Sequence, residues 1–243
     1  MKLPRLALLL AAFSLASQGP AFAGAPGADK LAGAVADANR KAGRAKPLLI
    51  DVSLRIGDAP PSATGTLATH PTGLARLELR GPEGLERHLL QGSRYAASRD
   101  GEILAAPRPL LPPLFLLQED TGAALRAALA SFGVAASEVG FGLADDRDCY
   151  VIGGRSPQIP GELALTRPLL WVELDSFEVV AVDRSDGTRY RFGPVGKFDG
   201  VAMPRWIEIA TPGAPPARLE VQRVAKANAP AAAFGQEWLS GAP

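Results

Sequence analysis

The residues with the capacity for chemistry are few and scattered. His70 and His88 are the only histidines. Neither stands in the H-x-x-x-H or H-E spacing that offers ligands to zinc from one face. Asp145, Asp146 and Asp148 surround Arg147, but the run lacks the glycine and terminal glutamate of a calcium loop and fits a solvated turn. Gly153-Gly154-Arg155 follows a strand-like segment without completing a phosphate cradle. No serine occupies a nucleophile elbow. Cys149 is the single cysteine, so it makes no internal disulfide. Flanked by Tyr150, Val151 and Ile152, it reads as a small buried hydrophobe. Trp171, Trp206 and Trp238 read as core or rim anchors. Nothing here supports nucleophilic, acid–base or metal chemistry. The chain is therefore expected to bind rather than catalyse, with no cofactor and no metal.

Two kinds of element could position a binding site. Residues 28–42 lack proline and aromatics, with Asp29 near the start and Lys41 and Arg44 near the end, which predicts a helix. Its face of Leu31, Val35, Ala38 and Ala42 is weakly apolar and must pack on something else. From Leu48 the period changes to two. Leu48, Ile50, Val52, Leu54 and Ile56 alternate with more polar neighbours, as in a half-buried strand. Further strands are expected over 64–69, 75–79 and 85–90, with turn residues between them as in an antiparallel meander. The second half repeats the pattern over 169–174, 177–182, 189–192, 206–209 and 219–224. Asp186-Gly187 and Asp199-Gly200 mark hairpin turns, and Pro204 an edge or bulge.

Between the halves lies a different segment. Pro107, Pro109, Pro112 and Pro113 brace an apolar run, Leu114-Phe115-Leu116-Leu117, and residues 121–132 then read as a helix ended by Gly133. A meander does not need this insert, which suits a lid or binding segment. The same leucines suit plain core packing equally well.

The N-terminus carries a targeting signature. Lys2 and Arg5 precede an apolar run from Leu6 to Leu15, and Ala21-Phe22-Ala23 offers a small-x-small site with cleavage expected after Ala23. The run is about half the ~20 residues a membrane span needs. No cysteine follows it directly, so no N-terminal lipidation is expected. The chain has 243 residues, 47% of them hydrophobic and 21% charged, a globular balance. Its formal charge of +1 becomes −1 once Lys2 and Arg5 leave, because residues 1–23 contain no acid. Such a chain has no electrostatic reason to seek nucleic acid or an anionic membrane. A monomer without stable membrane insertion is expected, working outside the cytoplasm.

Several short motifs, in order, resemble a known family. They are Gly65-Thr66-Leu67, His70-Pro71, the strand from Leu74 to Leu79, Asp100-Gly101, the apolar segment 113–118, Asp186-Gly187, and Met203-Pro204-Arg205-Trp206-Ile207-Glu208-Ile209 with the strand 219–224. The order and rhythm over 29–234 resemble the LolA/LolB-like superfamily of periplasmic lipoprotein carriers. The resemblance implies an α+β fold, a strongly curved antiparallel sheet (an unclosed β-barrel) with helices as a lid over its concave face. It implies one domain over 29–234, a lid at about 107–133, a short flexible start at 24–28 and a tail at 235–243. It also implies a periplasmic carrier or binder of acyl chains of lipoproteins or lipids, with an envelope donor or acceptor protein as a further partner. The alternative is an envelope regulatory or protein-binding module on the same fold, with no transport role. The cavity would draw on Leu54, Leu77, Leu79, Leu114, Phe115, Leu117, Trp171 and Phe177. His70 stands where the carriers place an Arg before Pro, and is expected to contact the lid as a weaker latch.

Overall fold

Alternation in the first half folds as a continuous meander. Strands β1 (Leu48–Ile56), β2 (Ala63–His70), β3 (Leu74–Gly81), β4 (Gly84–Gln91), β5 (Arg94–Arg99) and β6 (Glu102–Ile103) each pair antiparallel with the next. The computed structural model describes residues 24–154 and 167–241. The expected signal and its cleavage site, and Arg155, lie outside these.

The second half adds β7 (Val139–Ala144), β8 (Arg147–Ile152), β9 (Leu169–Glu173), β10 (Val179–Asp183), β11 (Arg189–Phe192), β12 (Val195–Phe198), β13 (Val201–Pro204), β14 (Trp206–Ala210) and β15 (Ala217–Lys226). Thirteen strands form one antiparallel sheet in the order β6-β5-β4-β3-β2-β1-β15-β14-β11-β10-β9-β8-β7, and β12 with β13 makes a separate hairpin. Strands β1 and β15 join the halves, while among the described residues β6 and β7 remain unjoined edges, so the curved sheet is not closed. The architecture is α+β, as expected. Asp145 and Asp146 have φ of 50° and 59° and make the β7–β8 turn, the solvated turn that the acidic run suggested.

Helix α1 (Ala28–Lys41) and helix α2 (Gly122–Ser131) pack on one another over the sheet's inner face, with a 3-10 turn at Leu114–Leu117 beneath them. Gly122 permits the close crossing: a Cβ there would stand 2.9 Å from the backbone nitrogen of Gly33. Thr121 caps α2 by accepting from Ala124 N at 3.2 Å. Leu31 and Val35 of α1, Leu125 and Leu129 of α2, and inward residues of nearly every long strand share one core. On the outer face, Phe234 and Leu239 cover Ala68 and Leu89. Residues 235–241, which the sequence reads as tail, include a 3-10 turn (Gln236–Ser240) whose Leu239 is buried.

Candidate binding site

Cross-strand neighbours share a face, so the inner surface can be read outward from Leu77. Leu54, Leu77 and Leu79 line the concave side and are buried in the main core. Leu114, Phe115 and Leu117 descend onto the same core from the lid, and Phe115 meets Phe132 edge-on with 6.2 Å between ring centroids. Six of the expected cavity residues are thus brought together. Phe177 joins them from the β9–β10 turn, packed against the core and stacked on Tyr150 at 6.3 Å. It holds φ of 57°, an uncommon conformation for a bulky side chain, and that conformation carries the aromatic stack.

Trp171 is different. Its neighbours Leu170 and Val172 face the main core, so Trp171 faces outward. It packs with Cys149, Val151 and Val180, and donates from Nε1 to Asp183 Oδ2 at 2.7 Å. Strand β9 is apolar on both faces, so composition could not distinguish them. A bulge between Val179 and Ala181 also shifts the alternation in β10.

His70 is also turned away from the lid. Its ring contacts Phe234 edge-on at 6.2 Å and its Nδ1 lies 2.7 Å from Thr72 Oγ1. The residue beside it supplies the latch: Thr69 Oγ1 donates to Gln118 Oε1 at 2.6 Å. Gln118 Nε2 then donates to the carbonyls of Lys46 at 2.7 Å and Arg44 at 3.2 Å. Asn39 of α1 donates to the carbonyls of Leu116 and Glu119. The lid therefore rests on a buried apolar face and a handful of hydrogen bonds.

A pocket of about 360 Å³ opens at one end of the interior. Leu54, Leu79 and Leu110 belong both to its lining and to the main core, so it is the open mouth of the space that the lid fills. Ile56 and Ala63 extend its apolar wall, while Glu83, Glu86, Arg99 and Arg108 give it a charged rim. Arg99 pairs with both glutamates at 3.2 and 3.3 Å.

Behind this rim lies a polar chain that sequence reasoning missed. His88 pairs with Leu77 across β3–β4 and is fully buried on the inner face. Its Nδ1 stands 2.6 Å from Tyr95 Oη, and Nε2 stands 2.9 Å from Glu86 Oε1. Tyr95 Oη also lies 2.7 Å from the carbonyl of Arg108 and accepts from Leu110 N at 2.9 Å. The proline-braced strap is thereby fastened to β4 and β5. The His88 hydrogen bond is the main cause holding the Glu86 carboxyl below its usual range, while burial pushes the Tyr95 phenol well up. The available signal was Glu86 and His88 on the same strand parity as Leu90.

Among the described residues, no group of three or more His, Cys, Asp or Glu could hold a metal ion, and no helix is long and apolar enough to cross a membrane. Neither a protein-family profile nor a curated protein sequence matches the chain. Solved structures do match. A LolA superfamily protein from Nitrosomonas europaea is 14% identical with a TM-score of 0.52, over 88% of this chain and 100% of that one. A putative outer membrane lipoprotein-sorting protein domain from Vibrio parahaemolyticus is 11% identical with a TM-score of 0.42, over 88% and 99%. At these identities the likeness concerns the fold, and the first match carries it. The open antiparallel sheet, the helical lid on its inner face and the superposition over the whole length of that protein together give this chain the LolA superfamily fold.

Proposed function

We propose that this chain is a periplasmic binder of acylated guests, lipids or the acyl chains of lipoproteins, delivered across the inner membrane with cleavage after Ala23. The observation that carries the reading is the mouth pocket, whose Leu54, Leu79 and Leu110 continue into the lid-filled interior. A guest's chain enters there and takes over the contacts that Leu114, Phe115 and Leu117 make in the closed form. Apolar burial is worth ~25 cal/mol per Å² and needs no charged contact in the interior. The lid is displaced to the extent that the guest binds the open form better. The domain spans 29–234, with the mobile part within 107–133. No catalytic role is proposed.

The test is native mass spectrometry of protein purified from its own periplasm, followed by lipid extraction. A bound lipid or acylated peptide is expected. Ala63→Trp fills the pocket without emptying the core, and is expected to abolish binding while leaving the melting temperature unchanged. Protein that carries no lipid and ignores added lipopeptide overturns the reading.

A second reading, a regulatory module that binds a protein, is favoured by one observation. Phe141 and Leu143 on the edge strand β7 are 48% and 62% exposed, and they share the inward parity of Val139. An edge with exposed apolar residues is a template for a partner strand. Photo-crosslinking from position 141 in the periplasm distinguishes the two: a protein partner that is captured without acylation supports this reading.

A further inference from the structure

The charges at the mouth of the pocket are not matched one to one. Arg99 takes Glu83 at 3.2 Å and Glu86 at 3.3 Å, and His88 Nε2 stands 2.9 Å from the other Glu86 oxygen. Both glutamates are thus engaged from β4 and β5. Arg108, on the strap, has no such partner. Among the described residues its guanidinium makes one hydrogen bond, donated from Nη2 to the carbonyl of Pro215, and no carboxylate lies within ion-pairing distance. Its Nε is buried and has no hydrogen-bond partner. A buried N–H of a cation left unpaired is unfavourable and calls for an acceptor. Burial pushes this guanidinium down, opposed by the charge of Glu86, yet a guanidinium stays cationic at neutral pH.

The arginine is also held in place. Pro107 and Pro109 restrict the backbone on either side of it. Its own carbonyl lies 2.7 Å from Tyr95 Oη, and the Pro215 carbonyl anchors one end of the guanidinium. Two residues further along the strap, Leu110 lines the same pocket and continues into the main core. A chain lying along Leu110 therefore has its polar end beside Arg108.

We infer that Arg108 reads an anion at the mouth, so that the pocket takes amphiphiles whose head places a carboxylate or a phosphate next to the acyl chain. This rests on the acyl-guest reading above and narrows it. Ionised lipids are taken, whereas a lipopeptide whose acylated end is an uncharged amide lacks the group that Arg108 recognises. A guanidinium pairs with carboxylate and phosphate oxygens through charge-assisted hydrogen bonds, and a pre-positioned one loses little freedom in doing so. The glutamates oppose such a head only weakly. Arg99 stands between them, and Glu83, whose side chain is 80% exposed, is further screened by salt.

The experiment is calorimetry on the full mature protein at neutral pH, with decanoate, decyl phosphate and decanol each kept below its aggregation limit. Decanoate or decyl phosphate is expected to bind at least about tenfold tighter than decanol. Tighter binding of the phosphate points to a phospholipid, and of the carboxylate to a free fatty acid; either supports the inference. Arg108→Gln keeps a donor for the Pro215 carbonyl but removes the charge, and should abolish the preference while leaving decanol affinity unchanged. Arg223→Gln makes the same change in net charge at an exposed position of β15 and should retain the preference. Ala63→Trp should remove binding of all three. Equal affinities in the wild-type protein, or an Arg108→Gln loss as large for decanol as for decanoate, overturn the anion role and leave the acyl-guest reading standing. If none of the three amphiphiles binds, the acyl-guest reading falls and the anion role falls with it.

Discussion

Thr69 and His70 are consecutive residues of β2 that face opposite sides of one sheet. The threonine hydroxyl donates to Gln118 of the lid at 2.6 Å, while the histidine ring meets Phe234 on the outer face at 6.2 Å. Thr69→Val keeps the shape but leaves the buried Gln118 oxygen without its donor, which costs about 1–3 kcal/mol. His70→Ala loses an edge contact and exposed hydrogen bonds with Thr72, and is expected to cost less than about 1 kcal/mol. Urea unfolding separates the two, and equal costs would place the latch elsewhere.

Glu86 gives a pH dependence whose sign is fixed. Its folded-state carboxyl is held below the ordinary range, first by the His88 hydrogen bond and then by Arg99. Its contribution is therefore present above the ordinary glutamate value and lost as pH falls through the lowered one. Glu86→Gln should flatten the acid limb of the stability–pH curve. Urea midpoints collected across the acid range check this.

Gly122 sets the distance between α1 and α2. A methyl group there meets the Gly33 backbone at 2.9 Å, and backbone cannot swing aside. Gly122→Ala is expected to destabilise by about 1–3 kcal/mol, as overpacking does, despite alanine's better helix propensity. An unchanged or higher melting temperature would show that the two helices are free to separate.

Cys149 is fully buried in the outer cluster, and burial pushes its thiol up. Native protein should resist a thiol reagent such as DTNB, with labelling at least about a hundredfold slower than in denaturant. Rapid native labelling would mean that the β7–β9 edge opens readily.

Trp171 and Leu79 separate stability from binding. Trp171→Ala empties the outer cluster and should cost about 3–5 kcal/mol, yet leave the affinity of the folded protein for an acyl probe unchanged. Leu79→Asp places a charge in the pocket wall and should remove binding. Calorimetry of probe binding to each folded variant is the check.

Local order was legible in the sequence. Period-two alternation, the Asp-Gly turns, the proline-free start and the proline-braced insert depend on each residue's own backbone preferences and near neighbours. They correctly announced β1 to β4, most of the second meander, both helices and the insert between the halves. Facing was legible only where one side of a strand is polar: Leu54, Leu77 and Leu79 declare themselves, whereas the unbroken Leu169–Val172 run cannot tell Trp171 from its neighbours. The bulge in β10 likewise follows from pairing with β9 and not from its own composition. Glu86, His88 and Tyr95 lie on strands that read as ordinary alternation. Only the tertiary structure, by laying the strap across β4 and β5, brings the carbonyl of Arg108 and the amide of Leu110 to the Tyr95 hydroxyl and makes a buried histidine part of the mouth. A hydrogen bond's partner is chosen in three dimensions, and along the chain these groups are no nearer than any other loop and strand.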